Sequence, residues 1–268
     1  MRILLTNDDG IRAPGIIALH AALEGLGELV PIAPLTVQSA TGHGITYHDP
    51  LFMEHVDVTD DFGGTAIDGR PADCVKLAIT TLWEKRFGAG SRPDLTISGM
   101  NSGANIGINV LYSGTVAAAM ESAFLGVPSI AVSLLIRSMP DTAWNRAAQI
   151  ARHYIDRILE HELAPHDVIN LNLPCTESDD RPMPGLRVVP MNTAPLQEHY
   201  EQRRSPAGQD YFWAAGTGLN FAHTARGSDV EAIFDDSATI TPLTFDLTDA
   251  GTIDAWHDRM DVSDASGS

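Results

Sequence analysis

The stretch "ILLTNDDG", residues 3–10, begins as an apolar strand and ends in two adjacent aspartates. Ile3, Leu4 and Leu5 are strand formers, so Asp8 and Asp9 stand at the C-terminal tip of that strand. Neighbouring carboxylates repel unless a cation or a proton lies between them. Asp-Gly is by itself an ordinary turn signal. The meaning of the pair has to come from its surroundings.

Working outward, Pro14 opens a helix in which Ile16, Leu19, Leu23 and Leu26 recur at helical spacing, with Gly27 as the expected C-cap. "ELVPIAP" (28–34) reads as the next strand and completes a βαβ unit, which implies a parallel sheet. The alternation continues. "PADCVKLAITTLWEKRF" (71–87) is an amphipathic helix, "DLTISGMN" (94–101) a buried strand and "SGTVAAAMESAFLG" (113–126) an Ala-rich helix. "VPSIAVSLL" (127–135) is a strand, 141–160 a long helix and "HDVINLNLP" (166–174) a further strand. From about residue 175 the pattern fades into short alternating strands: "LRVVP", "QDYFWAAG" and "ATITPLTFDLT". The expectation is an α/β fold with a doubly wound, Rossmann-like, mostly parallel sheet over 1–175. A β-rich extension or arm would follow over 176–260, with 240–248 returning to the core and a disordered tail at 261–268.

With 268 residues and 44% hydrophobic content, the chain can bury a large core. No apolar run approaches the roughly 20 residues a bilayer-spanning helix needs. Arg2 leads straight into a strand and not into a signal sequence, so a cytoplasmic location is expected. Cys74 and Cys175 make neither a disulfide framework nor a zinc spacing. The net charge of −18 argues against phosphate-mediated binding of nucleic acid, duplex or single-stranded. A small nucleotide held through a metal is compatible with it.

Ligands of open α/β sheets bind at the C-terminal ends of the strands. Those tips carry Asp8 and Asp9, the loop "PLTVQSATGHGIT" (34–46) with Ser39 and His43, and "SGMNSGANIG" (98–107) with Asn101 and Asn105. "YSGTV" (112–116) begins a helix. Each feature has an ordinary reading taken alone: Asn as a turn residue, Ser113 as an N-cap, His43 as a loop histidine. No Gly-Lys-Ser/Thr follows the glycines, so they form no phosphate loop, and "NDDG" is not a dinucleotide fingerprint. Together, two carboxylates with Ser and Asn oxygens make a hard, oxygen-only site suited to Mg²⁺ or Mn²⁺. The helix beginning at Ser113 offers free N–H groups to a phosphate. This is the equipment of a phosphomonoesterase.

The motifs "MRILLTNDDGIRAPGI", "QSATGHGIT", "GRPADCVKLA", "SGMNSGANIG", "LYSGTVAAAME" and "ITPLTFDLT", in that order, resemble the SurE (survival protein E) family of nucleotidases over residues 1 to about 248. The resemblance implies a phosphatase of nucleoside 5′- and also 3′-monophosphates that uses one divalent metal ion. Asp8, Asp9, Ser39 and Asn101 would be its ligands, and Asp8 or Asp9 the base. Asn105, Ser113, Gly114 and Thr115 would line the phosphate site. It also implies a β arm exchanged between subunits in a homodimer or homotetramer, which would cover Tyr211, Phe212 and Trp213. Two rivals stand beside it. A haloacid-dehalogenase-like phosphatase needs Asp-x-Asp after its first strand, whereas here the pair is adjacent. A non-catalytic nucleotide or metal sensor would share the pocket without turnover.

Overall fold

The computed structural model describes residues 1–216 and 218–260, so the tail expected at 261–268 lies outside the described residues. The chain opens with β1 (Arg2–Thr6), α1 (Pro14–Ala22) and β2 (Glu28–Pro34). Next come β3 (Met53–Asp57), β4 (Gly63–Ile67), α2 (Pro71–Leu77), a π-helical turn (Ala78–Leu82) and α3 (Trp83–Phe87). Then follow β5 (Leu95–Ser102), a 3-10 turn (Gly107–Leu111), α4 (Gly114–Phe124), β6 (Ser129–Leu134), α5 (Trp144–Leu159) and β7 (Val168–Leu173).

Nine strands form the main sheet in the order β3-β4-β2-β1-β5-β6-β7-β11-β8, where β8 is Leu186–Val188 and β11 is Ala238–Leu243. From β4 to β7 every neighbouring pair is parallel, as the βα alternation predicts. The period-2 alternation of β1 sorts its side chains into the two helical layers. Ile3 and Leu5 join Ile16 and Leu19 of α1 and Ala148, Ala151 and Ile155 of α5. Leu4, between them, joins Cys74 and Val75 of α2, Trp83 of α3 and Ala118 of α4 on the opposite face. The chain winds outward from β1 to β2 on one side and from β5 to β6 on the other. The gap between β1 and β5 is therefore the topological switch point, where open α/β sheets place ligands.

The structure departs from the sequence reading in detail. Helix α1 ends at Ala22 with Leu23 as its cap, and Gly27 lies past the turn, packed against the Met1 carbonyl. The helix expected over 71–87 contains a π turn, which seats Trp83 as a fully buried side chain. The β3–β4 hairpin has no counterpart in the alternation pattern.

After β7 come β8 (Leu186–Val188), β9 (His199–Arg204), β10 (Asp210–Ala215), α6 (Asp229–Phe234), β11 (Ala238–Leu243) and α7 (Ile253–Met260). Strand β11 lies antiparallel to β7, and β8 runs parallel to β11 at the edge. Strands β9 and β10 form a separate antiparallel hairpin that leaves Tyr200, Phe212 and Trp213 exposed. Among the described residues no helix is long and apolar enough to cross a membrane.

Candidate active site

Asp8 and Asp9 follow directly from β1 and open onto a cleft of about 390 Å³ at the switch point. The cleft is also lined by Ser39 from the loop after β2, by Asn101 and Asn105 from the tip of β5, and by Ser113 before α4. Four separate strand and helix ends converge there.

Asp8 is the most constrained member, only 4% exposed. Its Oδ1 accepts a hydrogen bond from the Thr115 hydroxyl. Gly114 makes that approach possible: a Cβ there would lie 2.8 Å from Asp8 Cβ and 2.9 Å from Asp8 Oδ2, so the first turn of α4 packs on the carboxylate only because it starts with glycine. Burial pushes the Asp8 carboxyl up to about 6, the Thr115 bond opposes this, and the neighbouring Asp9 charge adds to the rise. The Oδ2 of Asp9 accepts the Ser102 N–H at 2.8 Å.

Asn101 reaches the cleft because the β5–β6 register slips between Ser98 and Asn101. Gly99 carries the irregularity at φ +144, with no room for a side chain against the Val132 carbonyl. The Asn101 amide nitrogen donates to the Gly103 carbonyl at 2.7 Å, which leaves Oδ1 without a partner among the described residues. Asn105 is held from three directions. Its N–H donates to Asn172 Oδ1 and its side-chain amide to Ser133 Oγ, while its carbonyl accepts from Asn170 and Asn172.

Ser113 caps α4 by accepting the Val116 N–H at 3.0 Å. Ser113 therefore lines the cleft, whereas the Thr115 side chain is wholly buried and turned onto Asp8. The structure adds wall residues that the sequence reading did not single out: Asn109 and Tyr112 before α4, Leu135 and Ile136 after β6, and Gly218 and Leu219 from the C-terminal region. Tyr112, Leu135, Ile136 and Leu219 add apolar surface to an otherwise polar lining. Tyr112 lies inside the "YSGTV" stretch, but no periodicity or spacing shows that it and the others meet in one cleft, because tertiary folding brings them together.

The donor set fits a divalent cation. Asp8, Asp9, the Ser39 hydroxyl and Asn101 Oδ1 are all hard oxygens, and a buried carboxylate beside a second one lacks a countercharge. Among the described residues there is no group of three His, Cys, Asp or Glu side chains placed to hold a metal, so the candidate donor set consists of two carboxylates completed by the neutral oxygens of Ser39 and Asn101.

The family model for survival protein SurE matches residues 3–198. This chain belongs to the SurE family. It is 45% identical over 250 residues to the 5′-nucleotidase SurE of Rhodopirellula baltica, covering 92% of this chain and 94% of that one. It is 42% identical over 253 residues to the 5′-nucleotidase SurE of Carboxydothermus hydrogenoformans, covering 92% of each chain. The crystal structure of the SurE protein from Aquifex aeolicus superposes with a TM-score of 0.80 at 32% identity, over 97% of this chain and all of that one. The motif resemblance is thus family membership, and the doubly wound α/β fold is the SurE fold.

Proposed function

We propose that this SurE protein is a 5′-nucleotidase, a phosphomonoesterase that hydrolyses nucleoside 5′-monophosphates, and also 3′-monophosphates, with the help of one bound Mg²⁺ or Mn²⁺. The observation that carries the reading is the convergence of Asp8, Asp9, Ser39 and Asn101 with the start of α4 in one cleft at the switch point. The names of the Rhodopirellula and Carboxydothermus relatives agree with it.

Asp8, Asp9, Ser39 and Asn101 would hold the cation. When bound, it supplies positive charge to the phosphoryl oxygens and acidifies a coordinated water. The chain's own groups do the rest. Asp8 or Asp9 accepts the proton of the attacking water. Thr115 fixes the direction of the Asp8 carboxylate. Val116 N–H is taken by Ser113 Oγ and Thr115 N–H by the Asp8 carboxylate, so the Gly114 N–H and the Ser113 hydroxyl proton are the donors at the helix start that would meet a phosphoryl oxygen. Asn105, fixed by β6 and β7, lines the same cleft. The apolar surface of Tyr112 and Leu219 in the lining suits a nucleoside.

The net charge of −18 repels long polyanions, whereas a mononucleotide has to reach only one site. The test is phosphate release from AMP with Mn²⁺, after EDTA, and after Mn²⁺ is restored. The expected pattern is activity, loss and recovery. Full activity in EDTA, or efficient cleavage of internal phosphodiesters in single-stranded DNA, would overturn the reading.

A further inference from the structure

Helix α4 bears a second buried carboxylate, Glu121, two turns beyond the end that packs on Asp8. Glu121 is 4% exposed and lies outside the cleft. Burial alone would raise its pKa, but hydrogen bonds from His43 and Lys76 hold it below the usual carboxylate value. A buried carboxylate is costly without partners. One of these partners belongs to a rigid element: Lys76 Nζ, on α2, sits 3.2 Å from Glu121 Oε1. The other belongs to the active-site loop: His43 Nε2 lies 2.8 Å from Glu121 Oε2.

His43 is four residues from Ser39. Among the described residues, two side chains of the 34–46 loop hydrogen-bond outside it, Thr46 to Asp73 at the loop's end and His43 to Glu121 nearer Ser39; Thr36, Gln38 and Thr41 bond within it. Backbone bonds fix the flanks, from Gln38 N–H to the Asp8 carbonyl and from Gly42 N–H to the Tyr112 carbonyl. Between them Ala40 adopts φ +56, a left-handed conformation that is unfavourable for a residue with a Cβ. A segment containing such a residue keeps its shape only when its surroundings hold it there. The same helix thus seats Asp8 through Thr115 at its start and meets the Ser39 loop through Glu121 further along.

We infer that the His43–Glu121 pair is a positioning device that sets Ser39 against Asp8 for cation binding, with Lys76 serving only to balance the buried charge. This rests on the reading of Asp8, Asp9, Ser39 and Asn101 as metal ligands. Neither His43 nor Glu121 touches the cation or the substrate; both act through the loop. Groups that orient metal ligands typically change metal affinity 10- to 100-fold when removed.

The experiment is Mn²⁺ binding to the full-length protein without nucleotide, followed by the electron paramagnetic resonance signal of free Mn²⁺. His43→Ala should weaken binding about tenfold. His43→Gln, which can still donate to Glu121 from a similar reach, should stay near wild type. Lys76→Met removes the other partner but leaves the loop tethered, so it should lower thermal stability while leaving Mn²⁺ affinity nearly unchanged. Wild-type affinity in His43→Ala would overturn the inference. So would equal weakening in Lys76→Met, because the effect would then follow the charge of Glu121 and not the loop. If the wild-type protein binds no Mn²⁺ at all, the metal reading falls and this inference with it.

Discussion

The Thr115 hydroxyl donates to Asp8 Oδ1 at the floor of the cleft, where Thr115 is 0% and Asp8 4% exposed. A hydrogen bond to a charged group is worth about 1.5–3 kcal/mol, more than one between neutral partners. Thr115→Val keeps the shape and removes the donor. The expected result is a 10- to 100-fold fall in kcat/KM for AMP with the fold intact, and Thr115→Ser should recover most of it. Unchanged kinetics in Thr115→Val would show that Asp8 needs no orienting partner.

Asp8 also predicts a pH dependence of stability. Its pKa rises from an ordinary 3.8 to about 6 on folding, so the native state binds the proton more tightly than the unfolded chain. The sign follows: its contribution to stability is full below about pH 4 and is lost as pH rises through 6, by about 3 kcal/mol in all. In EDTA-treated protein, Asp8→Asn should therefore be more stable than wild type at pH 8 and no more stable at pH 3.5, and restored Mn²⁺ should return turnover to the wild type but not to the variant. Denaturant midpoints across this range provide the check. A wild type that gains on Asp8→Asn as pH rises would contradict the assigned environment.

Ala40 offers a gain. At φ +56 glycine is at ease and alanine is not, and the cost is about 1 kcal/mol. Ala40→Gly should raise the thermal midpoint by about 2 °C. A drop in the midpoint would place Ala40 in an ordinary right-handed or extended conformation.

The parts of this molecule that were legible in its sequence are those governed by local periodicity. Ile3, Leu4 and Leu5 announce a strand buried on both faces, and Pro14 and Ser113 mark helix starts that the structure keeps to within a residue. The tip residues Asp8, Asn101 and Ser113 follow from those elements together with the rule that places ligands at strand ends. Strand β3 escaped because four of its five residues are exposed, so it carries no apolar alternation. Glu121 escaped for the opposite reason. A glutamate in an Ala-rich helix reads as a solvent-facing residue, and only the packing of α4 against α2 and the Ser39 loop buries it. The pairing of Thr115 with Asp8 joins residues 107 positions apart, which no local pattern encodes.

Among the described residues, strands β9 and β10 pair only with each other, from Asp210 opposite Arg204 to Ala215 opposite His199. An isolated two-stranded hairpin is marginal in water without a packed face. This one leaves Phe212 64% and Trp213 61% exposed, so the chain's own core does not cover them. Exposed aromatic surface of this kind marks an association site, and a second copy of the chain is the occupant expected for an arm exchanged between subunits. Full-length protein should then run as a dimer or larger by light scattering at micromolar concentration, with a thermal midpoint that rises with protein concentration. The double change Phe212→Glu and Trp213→Glu should lower the assembly state while leaving the Asp8 cleft, built from other elements, able to bind Mn²⁺. A wild-type protein that is monomeric and fully active at that concentration would remove the exchanged arm and leave the catalytic reading untouched.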